Sequence, residues 1–186
     1  MRTMLVVLFL LVFPLSQAWA DECRDAANLF KKAGASAEFF NKSYGYAIFP
    51  TIGKGGIGVG GAYGKGCVYA RGRHVGNASM TQASLGFQLG GQVYTQIIFF
   101  QDKRAFDEFT SGNFEFSANA QAVVITAGAS ATASTAGSST GISGGQNDAI
   151  TTTLGYNKGM ATFTIAKGGL MYEASLAGQK YKYTPL

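Results

Sequence analysis

The sequence has few of the residues from which metal and catalytic sites are usually built. Its 186 residues include two cysteines, Cys23 and Cys67, and a single histidine, His74. These ligands are too few for a closed zinc site made of cysteine and histidine, which is four-coordinate. Acidic residues are unevenly placed as well, because none occurs between Glu38 and Asp102. Lys54, Lys65, Arg71 and Arg73, which lie in that stretch, therefore have no carboxylate close to them in sequence.

The motifs that suggest catalysis all fail on their context. His74 lies in a predicted turn, so a Ser–His–Asp site is poorly supported. The string Gly56-x-Gly58-x-x-Gly61 matches a dinucleotide fingerprint, but no helix pattern follows and no acidic residue stands about twenty positions later. The serine string Gly137–Gly141 has no strand before it and no helix after it. We therefore expect a protein that is not an enzyme and that uses no cofactor.

The N-terminus has the pattern of a secretory signal peptide. A positive residue, Arg2, precedes a short apolar run, and Ala18–Ala20 is a small-x-small cleavage site. An uncleaved anchor is the alternative. We expect residues 1–20 to be removed and residues 21–186 to form one exported domain. Its expected location is the periplasm or the extracellular space, with a peripheral position on the outer membrane as one option.

Export also bears on the two cysteines. An oxidising compartment allows at most one intramolecular disulfide, between Cys23 and Cys67. Two unpaired thiols are the alternative, and the spacing does not decide between them.

Glycine repeats with a period of two in the middle of the chain. Glycine or alanine fills the even positions from 56 to 66, whereas the odd positions include Val59, Tyr63 and Lys65. This alternation predicts a strand with one nearly bare face. Glycine weakens a strand unless another group approaches closely. We therefore expect this face to lie against another backbone or to form the smooth wall of a groove.

Basic residues border the glycine strand, and we expect them to meet anionic head groups. With three of the glycines they form the predicted lipid-binding set: Lys54, Lys65, Arg71, Arg73, Gly56, Gly58 and Gly60. Strand parity places Lys65, Arg71 and Arg73 on one face if no bulge intervenes. An ordinary solvated face is the alternative. The lack of a basic helix disfavours a nucleic-acid partner.

Hydrophobic periodicity predicts an α+β fold. Helical spacing extends over Cys23–Asn41 with a break at Gly34, and it returns over Asp102–Phe109. Strict alternation between residues 79 and 99 predicts two strands, and more strands follow towards the C-terminus. Residues 126–148 are a low-complexity segment that we expect to be a long mobile loop. The expected architecture is an N-terminal helical segment packed on a curved, mainly antiparallel sheet. The sequence does not decide whether this sheet closes into a barrel.

Several segments resemble the SYLF domain family, in order and across nearly the whole exported chain: Gly45–Pro50, Gly53–Gly61, Gln88–Gln92, Ile97–Phe100 and Lys167–Tyr172. The chain is most similar to the secreted bacterial branch. It lacks the SH3 domain of many eukaryotic members, and their tryptophan-containing segment is replaced here by Gly76–Gln82. The resemblance implies lipid binding, without the phosphoinositide preference of eukaryotic members. Some eukaryotic members also bind actin, but actin is an implausible partner for a protein exported from a bacterial cell.

The residues and the resemblance together predict a non-enzymatic protein of the bacterial cell envelope that binds anionic phospholipids or membrane surfaces. Two alternatives stay open. One is an integral outer-membrane barrel of about eight strands. The other is a self-assembling structural surface protein whose glycine-rich strands pair edge to edge. Lipid identity and oligomeric state do not follow from the sequence.

Overall fold

The computed structural model of the chain describes residues 15–57, 59–85, 91–116, 123–125, 155–167, 176 and 178–186. Its helices in these residues are α1 Leu15–Lys32, α2 Gly34–Ala37, α3 Phe39–Lys42 and α4 Lys103–Thr110. Its strands are β1 Gly45–Ile57, β2 Val59–Ala70, β3 Arg73–Leu85, β4 Gln92–Phe100, β5 Asn113–Glu115, β6 Val123–Ile125, β7 Met160–Lys167 and β8 Gln179–Pro185. The predicted α+β class is confirmed. The predicted loop at 126–148 and Gly58 lie outside the described residues.

All of these strands belong to one sheet. Their order is β5-β8-β3-β2-β1-β4-β7-β6. Neighbouring strands run antiparallel except for β6, which pairs in parallel with β7. Among the described residues β5 and β6 each have one strand neighbour, so the sheet is open. Closure into a barrel, which the sequence left open, is therefore not supported.

The sheet is strongly curled, as a contact between two strands that are not neighbours shows. Gln96 of β4 donates a hydrogen bond from Nε2 to the hydroxyl oxygen of Tyr181 on β8 at 2.6 Å. Three strands separate β4 from β8 in the sheet order. In a flat sheet the two would lie roughly 19 Å apart. The predicted curvature is thus present, and it gives the sheet a concave and a convex face.

The concave face holds one of two hydrophobic clusters, and α4 packs against it. The ring centroids of Phe109 on α4 and Tyr181 on β8 are 5.2 Å apart. The helix begins where the sequence predicted. The carboxylate of Asp102 accepts the amide of Ala105 at 2.9 Å, which satisfies one of the free amides at the helix N-terminus.

The convex face is covered over part of its area by α1, α2 and α3. α1 buries Cys23, Ala26 and Phe30, which recur at helical spacing, against Ile48 and Phe99 of the sheet. The apolar stripe of the N-terminal helix thus packs on the sheet. α1 also extends through the expected cleavage site, and Trp19 packs partly against the same cluster.

A disulfide joins α1 to the sheet. Cys23 is bonded to Cys67 of β2, with the two Cα atoms 6.2 Å apart. Both cysteines are fully buried. The bond fixes α1 over Cys67 of β2, and no described helix covers the glycine-rich end of the strand.

Candidate functional site

The part of the convex face that no described helix covers lies at the glycine-rich ends of β1 and β2. A Cβ atom built on Gly53 or Gly55 would meet no atom within 4 Å. One built on Gly61 would meet the carbonyl oxygen of Gln82 at 3.4 Å, which is an ordinary contact. These three glycines form a bare, open floor. The open floor is therefore on the opposite face from the smooth wall that the even-numbered glycines predicted, because odd-numbered glycines form it.

The even-numbered glycines of β2 lie on the concave face and are packed. A Cβ atom on Gly64 would lie 2.6 Å from Cγ1 of Ile52. One on Gly66 would lie 2.7 Å from Cδ1 of Phe49. At Gly64 and Gly66, neighbouring groups approach the backbone so closely that a side chain would not fit. This is the first of the two explanations given for the glycine repeat.

Two of the glycines in the predicted lipid-binding set lie near the β1–β2 hairpin turn. Gly56 pairs with Gly60. Gly56 has a φ of +153°, and a Cβ atom on it would lie 2.3 Å from the Cα atom of Gly60. This pair is needed for close approach of two backbones, and it adds nothing to the open floor.

Exposed apolar side chains collect around the open floor. The large exposed hydrophobic residues of the described chain are Leu29, Val59, Tyr63, Val93 and Leu186. Tyr63 of β2 and Val93 of β4 both pair with Gly53, so they flank the floor on the convex face. Val59 stands on the same face of β2 and is 69% exposed. Leu29 of α1 lines a shallow depression at the helix edge, together with Lys167.

Lysines lie on the same face. Lys65 of β2 pairs with Ser79 of β3, which in turn pairs with Lys182 of β8. The three side chains form a row across the sheet, and the two lysine backbones are about 10 Å apart. Neither Lys65 nor Lys182 has an ion pair with another described residue. An amphipathic surface results, which we call the open face: Gly53, Gly55, Val59, Gly61, Tyr63, Lys65, Ser79, Val93 and Lys182.

Two further lysines border the open face and are partly engaged. Nζ of Lys180 lies 3.7 Å from the carboxylate of Glu115. Nζ of Lys167 donates to the hydroxyl of Thr51 at 3.0 Å. Both ammonium groups remain exposed, so they add to the positive potential beside the open face.

The predicted basic residues do not form one cluster. Lys65 lies on the open face. Lys54 pairs with Ala62, a residue of the concave core, so its side chain leaves from the other face of the sheet. Arg71 and Arg73 lie at the opposite end of β2 and β3, about 17 Å along the strand from Lys65.

The prediction that Lys65, Arg71 and Arg73 share a face is wrong, because a bulge intervenes. The β2–β3 register shifts between Val68 and Tyr69. Arg73 therefore pairs with Ala70, which is out of phase with Lys65. Arg71 is in the turn with a φ of 48°, and its guanidinium carbon lies 5.2 Å from the ring centroid of Tyr44.

A second polar feature lies buried inside the curl. Gln96 donates to the side-chain oxygen of Gln179 at 3.1 Å, and Gln179 donates to the hydroxyl of Tyr94 at 3.3 Å. Burial raises the pKa of Tyr94 and of Tyr181 well above the ordinary value. Both phenols therefore stay neutral at physiological pH. Gln96 and Gln179 are far apart in sequence and lie on strands that are not neighbours, so no local pattern indicated this contact.

The side chain of the single histidine, His74, is held by contacts within the fold. Nε2 of His74 donates to the carbonyl oxygen of Gly76 at 2.9 Å, and its ring stacks on Tyr69. In the described part of the chain, no three side chains of histidine, cysteine, aspartate or glutamate come together as metal ligands. No described helix combines the length and the apolar character needed to cross a bilayer.

The open face contains residues that the sequence reading did not select. Val59 and Tyr63 share the parity of Lys65 along β2, so the alternation alone would have identified them. Lys182 and Val93 come from strands distant in sequence, and only the strand order brings them to the same face.

The chain is similar to known proteins both as a family pattern and as a whole sequence. The model of the Ysc84 family, described as "Las17-binding protein actin regulator", matches residues 81–183. Over 178 residues the chain is 32% identical to "Beta cell expansion factor A" of Aeromonas veronii. The alignment covers 90% of this chain and 59% of that relative. The chain thus spans about three fifths of the length of the curated relative that it matches.

Proposed function

Because the chain belongs to the Ysc84 family of SYLF domains, which is associated with lipid binding and actin regulation, we propose that it binds anionic phospholipid membranes. In this proposal it is a non-enzymatic, exported protein of the bacterial envelope. It associates peripherally with a membrane surface, and actin is not its partner.

The observation that carries the proposal is the composition of the open face. Tyr63 and Val59 are exposed on the same face as Lys65 and Lys182, and these two lysines lack a carboxylate partner among the described residues. Each lysine near an anionic membrane contributes roughly 1 kcal/mol. Removing one aliphatic side chain such as Val59 from water contributes at most about 1.5–3 kcal/mol. The sum corresponds to weak, reversible association that salt should weaken further.

Vesicle co-sedimentation tests the proposal. We expect the protein to sediment with vesicles that contain phosphatidylglycerol and to stay in the supernatant with pure phosphatidylcholine vesicles. At high salt the sedimented fraction should fall, because the Debye length shrinks from about 10 Å at 0.1 M to about 3 Å at 1 M. A protein that stays in the supernatant with both vesicles at low salt would refute the proposal.

Two double variants of equal charge separate the open face from the other basic site. Lys65→Glu with Lys182→Glu should abolish sedimentation at low salt, because it places acids on the open face. Arg71→Glu with Arg73→Glu changes the net charge by the same amount at the distant turn, and it should retain most of the binding. Equal losses in both variants would mean that net charge drives binding and that the open face does not.

A further inference from the structure

At the glycine-rich end, three strands extend further than the other strands of the described part of the sheet. β1 pairs with β4 as far as Lys54 and continues to Ile57 beside β2. β3 pairs with β8 as far as Gln82 and continues to Leu85 beside β2. The projection is three residues long, or about 10 Å. We call it the tongue, formed by residues 55–57, 59–61 and 83–85.

The tongue carries no charge. No aspartate, glutamate, lysine or arginine occurs between Lys54 and Lys65 or anywhere from residue 75 to 101. Glycines make up much of β1 and β2 here, and Val59 near the hairpin turn is among the most exposed apolar side chains of the described chain. An uncharged projection with an exposed apolar tip is unusual for a surface that meets only water.

Side chains on the convex face follow a definite order from the tip towards the body of the sheet. Val59 comes first, Tyr63 lies about 13 Å further along β2, and Lys65 follows about 7 Å beyond it. Lys182 lies in the same row as Lys65. Tyrosine is enriched at the boundary between membrane and water, and lysine reaches to the head groups. The order of the three residues therefore matches the order of environments in a bilayer leaflet.

We propose that the tongue enters an anionic bilayer tip first, with Val59 deepest, Tyr63 at the interface and Lys65 and Lys182 on lipid phosphates. This inference rests on the proposed function and specifies its geometry. The occupant is a lipid surface because the tip is apolar and uncharged, whereas the row behind it presents two lysines without acidic partners in the described chain.

The unpaired backbone edges of the tongue limit how deeply it enters the bilayer. Beyond Lys54 the outer edge of β1 has no strand partner among the described residues, and the same holds for β3 beyond Gln82. Free backbone amides and carbonyls are costly in hydrocarbon, where water cannot satisfy them. The tongue therefore enters obliquely, so that Val59, about 20 Å from Lys65 along β2, stays within the head-group region and the first part of the acyl chains of a leaflet about 15 Å thick.

A single-tryptophan series tests this orientation in the full chain. The chain has one tryptophan, Trp19, so a Trp19→Phe background leaves each introduced indole as the only one. Val59→Trp probes the tip and Tyr63→Trp probes the boundary. Thr184→Trp is the matched control, because Thr184 is exposed on the same face about 27 Å from the tip row.

With phosphatidylglycerol vesicles we expect the strongest blue shift, and the strongest quenching by lipids brominated along the acyl chain, at Val59→Trp. Tyr63→Trp should respond less, and Thr184→Trp should not respond. If the variants sediment with the vesicles but Thr184→Trp responds as strongly as Val59→Trp, the face lies flat and tip-first entry is refuted. If the parent protein does not sediment, the proposed function itself fails.

Discussion

At the scale of single residues, the glycines of β1 and β2 serve two different purposes. Gly64 and Gly66 lie inside the curl, where Ile52 and Phe49 occupy the space that a side chain would need. Gly53 lies on the open face with free space around it. Composition alone does not separate the two groups, because both are glycines of the same segment; the face of the sheet on which each glycine lies separates them.

Substitution of these glycines should separate the two groups experimentally. Gly66→Ala forces a methyl group against Phe49 and the Ile48 carbonyl oxygen, 2.7 Å and 2.4 Å from the Cβ position. We expect it to lower the free energy of unfolding by about 1–3 kcal/mol, the usual cost of overpacking. Urea unfolding measures the change.

Gly53→Ala is the matched control for that substitution. Its Cβ atom would meet nothing within 4 Å, and alanine restricts the unfolded chain more than glycine does. Its unfolding midpoint should equal or exceed that of the parent. A Gly66→Ala variant as stable as Gly53→Ala would contradict the packing described for the concave face.

At the scale of elements, α1 is held on the sheet by two independent means. Phe30 and Ala26 pack against the convex cluster, and Cys23 is bonded to Cys67. The helix therefore belongs to the core of the fold. To lie in a membrane interface, its apolar stripe would have to leave this packing.

Removing the disulfide should destabilise the protein without removing the open face. The bond closes a loop of 44 residues, for which the chain-entropy model gives about 4 kcal/mol. We expect Cys23→Ala with Cys67→Ala to lower the free energy of unfolding by up to that amount in urea. While folded, the variant should still sediment with anionic vesicles.

Treatment with a reducing agent provides the internal control for the disulfide. The agent should lower the unfolding midpoint of the parent towards that of the double variant and should leave the double variant unchanged. A double variant that unfolds at the same urea concentration as the oxidised parent would show that the bond does not stabilise the fold.

At the scale of the whole molecule, the curl is fixed by a polar network that joins strands from opposite halves of the sheet. Gln96 and Tyr94 come from β4, whereas Gln179 and Tyr181 come from β8. Buried polar groups are costly unless they are hydrogen-bonded. The network therefore favours the one curvature in which all four side chains find partners.

The pH dependence of stability should report on these buried phenols. Burial raises the pKa of Tyr94 and of Tyr181 above the ordinary value of 10.0. Below pH 10 the tyrosines are protonated in both states, so their contribution to stability is complete. Above it the unfolded tyrosines ionise while the buried ones resist. The free energy of unfolding should then fall by about 1.4 kcal/mol per pH unit for each such tyrosine.

Urea unfolding at a series of pH values from 7 to 11 measures this loss. Tyr181→Phe should be less stable at pH 7, because Gln96 loses a partner, and its stability should fall less steeply above pH 10. A free energy of unfolding that stays constant in the parent up to pH 11 would contradict the neutral, buried state of these phenols.

Local patterns determined most of the elements. The apolar spacing of α1, the break at Gly34 and the capping role of Asp102 depend on residues within a few positions of one another, and each is present in the structure. The alternation of glycine along β2 likewise predicted a strand with one bare face. These features follow from backbone geometry and side-chain parity, which a single segment contains in full.

The composition of the open face was decided by the tertiary structure. A one-residue bulge between Val68 and Tyr69 puts Arg73 out of phase with Lys65. No residue pattern in that segment predicts the bulge. The strand order brings Lys182 into the row of Lys65 although the two are far apart in sequence. The curl of the sheet decides which glycines are buried and which are exposed, because it makes one face concave and closely packed and the other convex and accessible.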